Sequence, residues 1–242
     1  MTISFSTVAI IVVVIVIGYS FFLAYPIYHS TKISETLIAN AVPYQQHPSN
    51  PAQYILVAGD STAVGVGTTD NKYSTAGRLG QQFPTADITN VAVSGARLKD
   101  LLAVLQVQQQ AGRHYNLLLL QIGANDVTHL TPYKTAAAEA AQVFALGSQL
   151  SNKTIVLTAG DIGLSTVFHW PISALMQGRS LAFRTIFMTQ AARFPTVSYI
   201  DLYKNKQDDP FGKDVEKYYA PDHFHLTNDG YGIWYSYIQR VL

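Results

Sequence analysis

Five short apolar runs, separated by segments of helical character, restrict this chain to a narrow set of folds. They are Tyr54–Ala58, Ala86–Val93, Asn116–Ile122, Thr154–Ala159 and Val197–Asp201. A strand with one wet face alternates apolar and polar residues, whereas runs that are apolar throughout need cover on both faces. That is the situation of a parallel sheet. Helix-compatible segments lie between the runs, near Lys72–Phe83, Arg97–Ala111, Pro132–Leu150 and Ile172–Phe194, and a last one follows Thr227. Strand-helix alternation with short connections predicts an α/β domain of three layers, α/β/α. No internal repeat is visible. Ala58-Gly59-Asp60 is echoed by Ala159-Gly160-Asp161, but the second copy continues with Ile162 and offers no nucleophile.

The N-terminus obeys a different rule. Val8 to Tyr25 contains no charged residue, and at ~1.5 Å per residue a helix over this run reaches roughly 27 Å, the thickness of a bilayer's hydrocarbon core. Tyr19, Phe21, Phe22 and Tyr25 cluster at its C-terminal end, where aromatic side chains anchor a span at the interface. A buried core helix rarely lacks every polar face over such a length. A cleaved signal peptide wants a basic start and a small-x-small site just after the apolar run. Residues 1–7 hold no Lys or Arg, and the nearest such triplet, Ala39-Asn40-Ala41, lies well beyond the expected distance. The expectation is one uncleaved transmembrane helix, with residues 1–25 as anchor, 26–52 as a proline-containing tether, partly helical around Lys32 to Ala41, and 53–242 as the globular domain. Lys32 is the only Lys or Arg near either flank, so charge bias says little about orientation.

Composition excludes several function classes. A net charge of +1 without any Lys/Arg cluster argues against nucleic acid as a partner. The absence of cysteine removes disulfides, thiol nucleophiles and Cys-ligated metals.

What remains is a set of polar residues at predicted strand ends. The first run stops at Gly59-Asp60-Ser61, which puts Ser61 at the C-terminal edge of the sheet, where open α/β sheets bind ligands. Taken alone, such a serine is a turn former or helix cap. The second run leads into Ser94-Gly95-Ala96, and the third ends in Gln121-Ile122-Gly123-Ala124-Asn125-Asp126. An Asn just past a strand can be a turn residue, or can point its amide at a developing oxyanion. Near the C-terminus, Asp222-His223-Phe224-His225 offers a carboxylate and an imidazole three residues apart, the base and orienting group that a serine nucleophile requires. His223 is too close in sequence to make the same carboxylate contact easily. Two histidines and an aspartate also permit a metal site, but no other ligand motif supports one. Gly65-Val66-Gly67 lacks the third glycine of a dinucleotide fingerprint, and no phosphate-binding loop is present. No cofactor is expected.

Gly59-Asp60-Ser61, Gly95, Gly123-x-Asn125-Asp126 and Asp222-x-x-His225 fall in the order of the sequence blocks of the SGNH (GDSL-type) hydrolases, and the resemblance covers roughly residues 54–232. It implies a flavodoxin-like fold with a five-stranded parallel sheet. It also implies Ser61 as nucleophile, His225 as general base and acid, and Asp222 as the group that orients His225. The backbone N–H groups of Ser61 and Gly95 and the Asn125 amide would form the oxyanion hole. Asp60 would hold the nucleophile turn. One position departs: many relatives carry Leu where this chain has Thr62.

The function expected is that of a membrane-anchored serine ester hydrolase acting through an acyl-enzyme on a small-molecule or lipid ester. The stretch Phe168-His169-Trp170 could form an apolar wall or lid beside the site, which favours acyl chains. The alternatives are an O-acetylesterase of cell-envelope glycans and a non-catalytic binding protein of the same fold. The catalytic domain is expected on the extracytoplasmic face.

Overall fold

The structure, a computed structural model, describes residues 4–242, so the first three residues of the expected anchor lie outside it. Five strands, β1 (Gln53–Gly59), β2 (Ala86–Asn90), β3 (Tyr115–Gln121), β4 (Ser151–Leu157) and β5 (Val197–Ile200), form one parallel sheet in the order β2-β1-β3-β4-β5. The expected five-stranded, doubly wound α/β/α architecture is the observed one.

The uninterrupted apolar character of the strands has a direct cause in the register. Ile55 and Val57 of β1 face one side of the sheet with Leu117, Leu119, Ile155 and Leu157. Leu56 and Ala58 face the other side with Leu118, Leu120 and Val156. Both sides are roofed by helices. On the first lie α3 (Thr75–Gln82) and α10 (Asn228–Gln239), supplying Leu79, Tyr231, Trp234 and Ile238. On the second lie α4 (Leu98–Gln110), α6 (Tyr133–Leu150) and α7 (Ile172–Ala191), supplying Leu101, Phe144, Phe183 and Phe187. Each fully buried side chain of this size contributes roughly 1.5–3 kcal/mol. Two cores, one per sheet face, hold the domain together.

Four short helices sit at the C-terminal edge of the sheet: α2 (Ser61–Val64), α5 (Ala124–Thr128), α8 (Pro210–Lys213) and α9 (Val215–Tyr218). The strand order reverses between β1 and β3, and a doubly wound sheet opens its ligand crevice at that point. Both α2 and α5 grow directly from it.

The N-terminal helix α1 runs unbroken from Phe5 to Asn40, through Pro26. Among the described residues it is the one helix long and apolar enough to cross a membrane, and no residue of its most apolar stretch is buried. Residues 26–40, expected in a tether that is partly helical around Lys32 to Ala41, are helical throughout. They continue the helix and dock on the domain, with Ser30 buried and Leu37 packed against the α3/α10 core. Beyond Asn40 the chain runs extended, and Gln46 bridges Ile88 of β2. The reason is a stripe of domain-facing residues, Ser30, Ser34, Leu37 and Ala41, at the three-to-four-residue spacing that aligns side chains on one helix face.

Candidate active site

The turn that carries Ser61 is built by its neighbours. Gly59 has φ +146°, and a Cβ there would stand 1.9 Å from the Gln121 carbonyl oxygen of β3, so only glycine allows β1 and β3 to approach this closely. Asp60 caps α2: its Oδ1 accepts from the Thr62 backbone N–H at 2.9 Å and from the Thr62 hydroxyl at 2.7 Å. The departure at position 62 thus has a structural role, since the hydroxyl supplies a second donor to Asp60. Asn90 at the end of β2 donates to the Ala63 carbonyl, tying α2 to the sheet. Burial pushes the Asp60 carboxyl up to about 6, despite the Thr62 hydrogen bonds that favour its ionised form. Ser61 itself is only 7 % exposed.

His225 meets Ser61 across 164 residues of sequence, with Asp222 on the far side of its ring. His225 Nε2 lies 2.8 Å from Ser61 Oγ, and its Nδ1 lies 2.5 Å from Asp222 Oδ2. An ionised carboxylate only accepts, so Nδ1 carries the proton and Nε2 is left to accept from the serine hydroxyl. The loop closes tightly around the carboxylate, whose Oδ1 takes the backbone N–H groups of Phe224 and His225. Asp222 is fully buried and His225 nearly so. Burial pushes the Asp222 carboxyl up, but the hydrogen bond and charge of His225, with a hydroxyl donated by Ser34, outweigh it and bring the group down to about 2. His223 adopts φ +54°, and its carbonyl accepts from Ser165. His223 lines a hollow beside α1 with Tyr25, Pro26 and His29 and is not among the residues of the cleft around Ser61.

Asn125 stands in the first turn of α5, in the same cleft as Ser61 and His225. Its amide donates to the Ala96 carbonyl at 3.0 Å, joining α5 to the loop that holds Gly95. One amide proton remains for a ligand. Gly95 has φ +83° and lines a neighbouring hollow together with Gly59. Asp126 braces this corner, with Oδ2 on the Leu98 N–H at the start of α4 and Oδ1 on Thr131. Arg179 of α7, buried, donates to the carbonyls of Asp126, Val127 and Thr131.

Residues 57–233 match the GDSL-like lipase/acylhydrolase family. The chain belongs to that family. It is a carboxylic ester hydrolase. Solved structures share the fold at low identity. A lipolytic protein of the G-D-S-L family from Veillonella parvula superposes with a TM-score of 0.61 at 15 % identity, covering 78 % of this chain and 97 % of that one. A catalytic mutant of Axe2, an acetylxylan esterase from Geobacillus stearothermophilus, gives 0.56 at 17 %, covering 79 % and 94 %. The psychrotrophic esterase EstA from Pseudoalteromonas sp. gives 0.55 at 16 %, covering 77 % and 94 %. No curated protein matches the chain by sequence.

The hydrolase surrounds Ser61 and His225 with an apolar cleft whose walls include Ile162, Phe211, Tyr219, Phe224 and Leu226. The expected wall, Phe168-His169-Trp170, is elsewhere. Phe168 packs on the α4/α6/α7 core, His169 stacks on Phe22 of α1 at 4.5 Å, and Trp170 is 72 % exposed. The Trp170 carbonyl accepts from the Tyr19 hydroxyl at 2.7 Å. These residues pack beside α1 or on the α4/α6/α7 core instead of lining the cleft. Phe211 and Tyr219, which do line it, escape a reading of sequence because α8 and α9 are too short to show periodicity; their one signal is aromatic density just upstream of Asp222.

Proposed function

We propose that this protein is a membrane-anchored serine hydrolase of acyl esters, with Ser61 as nucleophile, His225 as general base and acid, and Asp222 orienting His225. The observation that carries the reading is the hydrogen-bonded chain Ser61–His225–Asp222 on the floor of an apolar cleft. Ser61 Oγ attacks the ester carbonyl as its proton passes to His225 Nε2. The imidazolium that forms is stabilised by Asp222. The negative oxygen of the tetrahedral intermediate is received by the backbone N–H groups of Ser61 and Gly95 and by the free amide proton of Asn125, donors each typically worth ~10²–10³ in rate. Collapse expels the alcohol, which takes the proton from His225. Water, deprotonated by the same imidazole, then cleaves the acyl-enzyme and regenerates Ser61.

The apolar cleft supports a lipid or simple acyl ester over an acetylated glycan. Residues 1–25 form the anchor and 53–242 the hydrolase domain, joined by a segment whose first part is docked as helix, with the catalytic domain on the extracytoplasmic face. The test is fluorophosphonate labelling of the full chain together with a p-nitrophenyl ester series. Labelling is expected in the wild type and lost in Ser61→Ala, with activity extending beyond acetate. A folded wild type that neither labels nor hydrolyses any ester refutes the reading, and activity confined to acetate transfers it to an O-acetylesterase.

A further inference from the structure

Two hydroxyls one turn apart on α1 end on a single residue of the domain. Ser34 Oγ donates to Asp222 Oδ2 at 2.7 Å, and Ser30 Oγ donates to the Asp222 backbone carbonyl at 2.7 Å. The partners are 188 and 192 positions apart in sequence. Ser30 is the one buried residue of the helix, and Ser34 is half-buried beside it. With these contacts the carboxylate is fully occupied: Oδ1 holds two backbone N–H groups, and Oδ2 holds the imidazole and the Ser34 hydroxyl. Oδ2 is the oxygen that fixes the His225 ring, so whatever holds Oδ2 also sets the direction in which Nε2 faces Ser61.

We propose that the anchor helix is part of the active site, with Ser34 as a positioning residue that holds the Asp222 carboxylate in register with His225, and Ser30 fixing the backbone of the same residue. The inference rests on the catalytic role assigned above to Asp222. Without the Ser34 hydroxyl, Oδ2 of this buried carboxylate would lose a donor, and the carboxylate could rotate away from the imidazole. Turnover would fall while the acyl cleft stayed unchanged, because Ser34 lies behind Asp222 and does not line the cleft. The helix thereby links catalysis to its own docking: an enzyme whose α1 is displaced loses the support of its carboxylate.

The experiment uses the full chain in detergent micelles, with kcat, KM, the rate of fluorophosphonate labelling and thermal stability measured for each variant. Ser34→Ala is expected to lower kcat and labelling rate roughly tenfold, the scale of one lost hydrogen bond to a charged group, with KM within twofold of wild type. Ser34→Thr, which keeps the hydroxyl, should restore most of the rate, and its near-isostere Ser34→Val should not. That pair decides the matter even if the alanine variant folds poorly. In an Asp222→Asn background, Ser34→Ala should cost less than twofold in labelling rate, because the carboxylate it serves is gone. A contact that merely glues the helix down would give equal losses in both backgrounds, or a lower melting temperature with kcat unchanged; either result overturns the proposal. If Ser61→Ala still labels and turns over, the catalytic reading itself fails. If Ser61→Ala is inert while Ser34→Ala equals wild type, only the role of Ser34 falls.

Discussion

Two carboxylates near Ser61 carry opposite electrostatic loads. Asp222 is held down to about 2 by His225 and Ser34, so its contribution to stability is present above the ordinary carboxylate range and is lost as pH falls towards 2. Asp60 is pushed up to about 6 by burial, so the folded state binds its proton more tightly than the unfolded chain does. Its contribution is greatest below an ordinary carboxylate value and is lost as pH rises from about 4 to about 6. Asp60→Asn keeps an oxygen for the two Thr62 donors and removes the buried charge. The variant should therefore gain stability over wild type as pH rises through that window, reaching roughly 2–3 kcal/mol at pH 8. Denaturant unfolding of both proteins at pH 4.5 and pH 8 measures this; an identical difference at the two values would contradict it. Ser61, Asn125, Asp222 and His225 are legible in the sequence because each sits in a short motif at a strand or loop end. Ser34 is not, because nothing local distinguishes this serine of α1 from any other helical serine.

At the level of elements, the five strands and the five longer helices of the domain follow from apolar runs and helical stretches, with limits differing by a few residues. β2 stops at Asn90, short of the expected Val93, because the Asn90 side chain turns to cap the Ala92 N–H and to hold α2. The short helices α2, α5, α8 and α9 are fixed by caps and long-range bonds, which leave little pattern in sequence. α5 shows how such an element is held. Arg179 packs its guanidinium over Tyr133 and Phe183, 5.0 and 5.5 Å from the ring centroids, and its donors reach three carbonyls around the end of α5. Arg179→Met keeps the stem but leaves those carbonyls without their donor. Loss of a charged donor from a buried site should cost about 3 kcal/mol. Since α5 carries Asn125, kcat should fall with it, and Arg179→Lys, lacking the fork, should recover only part of either. Urea titration and steady-state kinetics on the three proteins test the link. A stability loss without any change in kcat would show that α5 is held by other contacts.

For the whole molecule, the apolar run and the α/β domain are each evident in the sequence, but their junction is not. The composition of residues 26–52 suggests a tether, whereas the side chains of Ser30, Ser34 and Leu37 dock the helix onto the domain. A docked helix cannot let the domain swing freely. It also presents Trp170 beside the aromatic end of the apolar run, where Tyr19 and Phe22 hold the Trp170 carbonyl and the His169 ring. With α1 spanning a bilayer as proposed, an exposed tryptophan at that level would lie in the interfacial region, where an amphipathic ring is favoured. The chain has two tryptophans, and the other, Trp234, is buried in the α3/α10 core. Reconstitution of the full chain into vesicles should shift the emission to the blue, and lipids brominated near the headgroup should quench it. Both effects should vanish in Trp170→Phe, since the remaining emission comes from the domain interior. Quenching only by deep bromines would place Trp170 within the span, and no quenching would mean that the domain stands clear of the surface on its helix. Quenching at the headgroup level alone agrees with a rigid mount that sets the height of the cleft above the lipid.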